Sequence, residues 1–204
     1  MEQATERRSK GRAREESVLR AAMEAIAELG LANVRMVDVA MRAGIGPGHV
    51  TYYFPSKADL LMRAIRWSEE GLRDRIDDEI SRIADPWKRL RRLFELAAAQ
   101  GPGDPAWVLW FEVWAKAGTD QALAEGTDEF ETWWRTALSD AIRYGCDRGS
   151  FTTENVDEVV LAVSAMIDGL SIQLTLGAPS VTRKRMLDMC VSAAHRYLDP
   201  SRKA

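Results

Sequence analysis

A chain of 204 residues, 46% of them hydrophobic, can bury a core, and its 2 cysteines, Cys146 and Cys190, are too few for a disulfide framework. The net charge of −3 hides an asymmetry: residues 1–66 carry 11 Lys/Arg against 8 Asp/Glu, and the remainder carries 17 against 23. With 2 histidines, no metal-ligand spacing, no nucleophile–base pair and no phosphate-cradling loop, the chain does not read as an enzyme, and no catalytic residue, metal or cofactor is expected.

The opening MEQATERRSKGRARE lacks the apolar stretch of a secretory signal, and a cytoplasmic protein with free thiols is expected. Arg7, Arg8, Lys10, Arg12 and Arg14 predict a flexible basic arm that either neutralises phosphates or is simply solvated. Val18, Ala22, Ala25, Ile26 and Leu29 then share one helical face, and Gly30 ends that helix. A short helix is predicted from about Met36 to Ala43. After Gly44-Ile45-Gly46, Pro47 opens another that runs to about Phe54. Ser56, with Asp59 three residues on, caps a long helix from Lys57 to about Ile83.

Punctuation by Asp85-Pro86, GPGDP, Gly149-Ser150 and Gly177-Ala178-Pro179 divides the rest. It predicts helices from Pro86 to near Gln100, Ala106 to Ala117, Asp128 to Arg148, Asn155 to Leu176 and Thr182 to Leu198. The fold class is therefore all-α with about nine helices. A three-helix helix-turn-helix domain with its basic arm (1–60) precedes a larger helical domain (61–204), the boundary lying in the long helix. The apolar run Val159 to Leu176 contains Asp168, Gln173 and three hydroxyl residues, which suits a helix buried among helices better than a membrane span.

The most specific pattern is Val39-Ala40-(x3)-Gly44-Ile45-(x4)-Val50. A helix-turn-helix needs a small residue where its helices cross, glycine at a turn of positive φ, and apolar residues that lock the pair. Ala40, Gly44 and Val50 meet these needs. The bland alternative is an ordinary helical hairpin; the preceding basic arm favours DNA. The second helix would enter a major groove N-terminus first, with His49, Thr51, Tyr52 and Tyr53 as hydrogen-bonding side chains, Gly48 permitting close approach and Lys57 reaching a phosphate.

Through VDVAMRAGIGPGHVTYYFPSKADLL the sequence resembles the tetracycline-repressor (TetR) family. The resemblance implies DNA contacts at Pro47, Gly48, His49, Thr51, Tyr52, Tyr53 and Lys57. Three positions depart from the family pattern: Arg35 stands where threonine usually caps the first motif helix, Gly46 replaces a serine, and Thr51 replaces the first tyrosine of a pair. Arg35 retains the chemistry to bind a phosphate.

In the second half, Trp107, Trp110, Phe111 and Trp114 recur at i, i+3, i+4 and i+7, and Trp133 and Trp134 follow on the next helix. Such a stripe serves as core, as pocket wall, or as both, and its tryptophan faces would suit an aromatic or cationic small molecule. This segment with IDGLSIQLTLG is similar to the C-terminal domain of choline-responsive betaine-pathway repressors within the family. Pocket candidates are Trp107, Trp110, Phe111, Trp114, Trp134 and Asp168. Ser164, Asp168, Ser171 and Thr175 form one stripe that faces the pocket, a neighbour or solvent, whereas Glu112 points away from the aromatic face. The resemblance also implies that the last two helices pair with their copies in a homodimer, with Val163, Met166, Leu170, Leu187, Val191 and Ala194 as candidate contacts. The expected function is a repressor of palindromic double-stranded DNA released by a small molecule; a ligand-independent architectural DNA-binding protein is the competing reading.

Overall fold

Proline and short polar side chains set where most helices begin. A computed structural model describes residues 2–30, 33–119 and 121–198. Among them the backbone is helical, with no strand. The order is α1 (Glu2–Leu29), α2 (Met36–Ala43), α3 (Pro47–Tyr53), α4 (Lys57–Ile80), α5 (Pro86–Ala97), α6 (Pro105–Ala117), α7 (Gln121–Asp147), α8 (Val156–Thr175) and α9 (Arg183–Leu198). Pro47, Pro86 and Pro105 open their helices, where a missing N–H costs nothing. Ser56, Asp85, Asp104 and Asn155 cap α4, α5, α6 and α8 by accepting first-turn backbone N–H groups.

Two expectations are corrected here. The basic run is not a loose arm: α1 starts at Glu2, because the segment contains no proline and supports itself with pairs such as Arg12–Glu16 at 3.3 Å. The side chains of Arg7, Arg8 and Lys10 lie outside the described residues. Helix α7 begins at Gln121 rather than Asp128, since one glycine within QALAEGT is too small a penalty, about 1 kcal/mol, to stop a helix.

Two apolar cores result. The first joins Val18, Ala22 and Ile26 of α1, Val39 and Ala40 of α2, Val50 of α3 and Leu60, Ala64 and Ile65 of α4 to Leu109 and Val113 of α6. The second gathers Ile76, Leu93 and Phe94, Trp107, Leu138 and Ile142, Val163 and Ile167, and Leu187, Cys190 and Ala194 from α4 to α9. Helices α4 and α6 thus contribute to both. Helix α8 is long and apolar enough to cross a membrane by composition, yet half of it is buried inside the protein, with Ser171 fully covered. Gly145 of α7 leaves the space that the Phe151 ring occupies; a Cβ there would lie 2.0 Å from the ring.

Candidate DNA interface and ligand cavity

The turn between α2 and α3 is built as the pattern demands. Gly44 adopts φ 66°, and its N–H and that of Ile45 close onto Met41 and Ala40 carbonyls at 3.2 and 3.0 Å. Val50 is fully buried and locks α3 down, leaving Pro47, Gly48, His49, Thr51 and Tyr52 exposed and Tyr53 half-buried. Tyr52 is 80% exposed, while the Tyr53 ring sits 5.3 Å from it, edge on, and 6.4 Å from Phe54. Thr51 Oγ1 donates back to the Gly48 carbonyl at 3.2 Å, so its proton is engaged within the helix and its methyl and lone pairs remain outward. Arg35 is exposed but holds Asp38, with Nε and Nη2 both 3.1 Å from the carboxylate, while its backbone N–H donates to Asp38 Oδ2 at 2.9 Å. This arrangement supplies only the Asp38 half of a capping box, since a guanidinium cannot accept a first-turn N–H as a threonine hydroxyl would, and it keeps Asp38 below its usual carboxylate range. It leaves three guanidinium N–H groups for a phosphate. Lys57 is half-buried at the first position of α4.

Behind this end lies a cavity of about 400 Å³ walled by α4 to α8. Trp107, Trp110, Trp114, Trp134 and Asp168 line it as expected from the stripe. Phe111 does not: it lies about 100° round α6 from Trp110 and packs half-buried against the second core. The cavity rings are mutually braced, Trp110 lying 5.8 Å from Trp114 and 4.9 Å from Phe130. Trp107 Nε1 donates to the Ala97 carbonyl at 3.2 Å, and Trp134 Nε1 to Ser164 Oγ at 3.1 Å.

The hydroxyl stripe faces inward. Ser164 receives Trp134, Ser171 accepts the Ala99 N–H at 3.2 Å, and Asp168 between them reaches the cavity. Burial, with Glu131 nearby, pushes the Asp168 carboxyl up to about 6. Across the chamber, burial pushes Glu69 of α4 up to about 7, Arg73 opposing and Glu129 adding to the effect. The remaining charges are occupied: Arg92 meets Glu79 at 2.6 Å and Glu95 at 3.1 Å, and Asp104 accepts N–H groups from Gln100 and Ala106.

On the α8–α9 side, Val163, Leu187 and Ala194 are corrected as dimer contacts. All three are buried in the chain's own core, where α8 and α9 pack against each other, and cannot reach a partner. Met166, Leu170 and Val191 remain half-buried, and Leu161, Met189 and Tyr197 stand out in solvent. Sequence reasoning missed Glu69, Phe130 and Glu131 as cavity residues, and Leu109 and Val113 as part of the first core. A usable signal existed for the last two, because α6 is apolar on nearly every face, the mark of a helix buried between two partners.

Known proteins share both halves. Residues 18–64 match the model for bacterial regulatory proteins of the tetR family, and residues 86–199 match that for the BetI-type transcriptional repressor C-terminal domain. The HTH-type transcriptional regulator BetI of Rhizobium meliloti (strain 1021) is 25% identical over 170 residues, covering 83% of this chain and 81% of its own. HTH-type transcriptional regulator CymR of Pseudomonas putida is 26% identical over 109 residues, 53% of each chain. A Saccharomonospora viridis structure, described as a transcriptional regulator in complex with choline, superposes with TM-score 0.83 at 30% identity, covering 92% of this chain and 98% of that one. A TetR regulator of Haloarcula marismortui shares the fold with TM-score 0.78 at 23% identity, over 91% and 98%. The chain belongs to the tetR family of transcriptional regulators and carries a BetI-type C-terminal domain.

Proposed function

We propose that the protein is a cytoplasmic repressor that binds a palindromic operator as a homodimer and releases it when an organic cation fills the cavity. The observation that carries this reading is the double duty of α4. It begins at Lys57, directly after α3 in the chain, and about three to five turns later offers Ser68, Glu69, Leu72 and Arg75 to the cavity. Helix α6 supports the same coupling, with Trp107, Trp110 and Trp114 toward the ligand and Leu109 and Val113 in the core beneath the recognition helix. Tryptophan faces beside desolvated carboxylates favour a cation, and the similar Saccharomonospora viridis structure contains choline.

In this reading Pro47, Gly48, His49, Thr51, Tyr52 and Tyr53 approach base edges, while Arg35 and Lys57 take phosphates. The domain boundary falls within α4 near residue 60, and Met166, Leu170, Val191, Leu161, Met189 and Tyr197 meet the second copy. The two copies of α3 must then sit about 34 Å apart to read adjacent grooves, and a ligand that tilts α4 alters that spacing. A coupling of about 1–3 kcal/mol suffices for a 5- to 150-fold change in affinity. Selecting bound duplexes from a random pool tests the reading: an inverted repeat with half-sites one turn or a multiple apart is expected, and enrichment without symmetry or sequence would favour the architectural alternative.

A further inference from the structure

Two carboxylates stand on separate walls of the cavity, each desolvated and neither in an ion pair nor accepting a hydrogen bond among the described residues. We propose that the effector carries two cationic groups joined by an apolar spacer, one meeting Glu69 on the α4 wall and the other meeting Asp168 on the α8 wall. This rests on the cavity being the cation site argued above.

The walls are distinct. Helices α4 and α8 both pack against α6, whose Trp107, Trp110 and Trp114 lie between them. Helix α7 divides its charges in the same way. Toward α4 it turns Glu129 and Trp133, the latter with the Arg73 guanidinium 5.0 Å over its ring; toward α8 it turns Trp134, which donates to Ser164, with Glu131 and Arg135 beside Asp168. The charges acting on Glu69 are Arg66, Glu70, Arg73 and Glu129, and those acting on Asp168 are Glu131 and Arg135, so neither acid is a significant neighbour of the other.

The other charged wall residues balance among themselves. Arg92 lies between Glu79 and Glu95, Arg75 adds its charge beside Glu79, and Glu131 pairs with Arg135 at 2.7 Å. A single cation would meet one acid and leave the other with only its flanking arginines, Arg66 and Arg73 at Glu69 or Arg135 at Asp168, whose attraction does not offset its desolvation. At about 400 Å³ the chamber falls within the roughly 300–1,000 Å³ of sites that hold drug-sized molecules, ample for a spacer laid along the tryptophan faces.

The test is calorimetry on the full chain with tetramethylammonium and with bis-trimethylammonium alkanes of increasing spacer length, at a pH of about 8 where both acids ionise. Hexamethonium or a neighbour in the series is expected to bind at least about tenfold more tightly than tetramethylammonium, with affinity peaking at one spacer length. Glu69→Gln and Asp168→Asn are each expected to erase that advantage, and both are near-isosteric changes whose folding is checked by circular dichroism. If the variants fail to fold, the spacer series on the unaltered chain decides. Affinity that climbs steadily with spacer length, or equals that of the monocation, overturns the proposal while leaving a cation site intact. Binding of neither cation overturns both.

Discussion

Helix α3 is seven residues long, buries Val50 alone and leaves five residues exposed, whereas the cavity draws its walls from five helices spread over residues 68–168. The first region is a local construction: a left-handed glycine, a proline and one anchoring valine suffice to place it. The second exists only when distant helices have packed, and its polar groups depend on one another, as when Trp134 is held by Ser164. A surface that meets rigid DNA can be built from adjacent residues. A chamber that senses a small molecule must sit where several helices meet, so that occupying it moves them.

The comparison breaks most severely at α6. If the reading end were an autonomous unit, Leu109→Ala would leave it intact; because Leu109 is only 2% exposed and belongs to that core, a loss of about 2–5 kcal/mol in urea denaturation is expected. The exposed end should behave oppositely. His49→Ala combined with Tyr52→Ala should cost about 1–3 kcal/mol per lost contact in operator affinity by fluorescence anisotropy, with thermal stability and cation binding unchanged. Trp114→Leu reverses that pattern, weakening cation affinity by up to roughly tenfold in calorimetry through loss of one aromatic face, with DNA affinity in the absence of ligand retained, since this ring packs on the second core.

The smallest effect is electrostatic. Glu69 and Asp168 titrate at about 7 and about 6 in the folded chain, above the ordinary carboxyl range, so the empty protein binds their protons more tightly than the unfolded chain does. Their contribution to stability is complete at low pH and disappears as pH rises through those values, while cation affinity rises over the same interval. Melting temperatures of the empty protein across pH about 5 to 8 should therefore fall less for Glu69→Gln than for the unaltered chain.

Much of the exposed region was legible because its chemistry is local: Gly44, Pro47 and Ser56 set turns and caps whatever surrounds them. The stripe Ser164-Asp168-Ser171 was legible as a stripe, but periodicity reports only that residues share a face, and which neighbour covers it is a tertiary fact. For the same reason Val163, Leu187 and Ala194 read as a dimer face although α8 and α9 spend them on each other. Phe111 was misplaced by one position of helical rotation. Glu69 gave no signal at all, since an acid on a charged helix becomes distinctive only when another helix removes its water.

The central claim is that the cavity and α3 are coupled through α4 and α6. It is tested most directly by titrating the protein against a labelled duplex carrying its selected operator, at fixed salt, with and without a saturating concentration of the bis-trimethylammonium alkane that calorimetry shows to bind most tightly. The expected result is a dissociation constant raised 5- to 150-fold, which corresponds to about 1–3 kcal/mol of coupling. An unchanged dissociation constant, with calorimetry showing that cation bound to the same preparation, would contradict it.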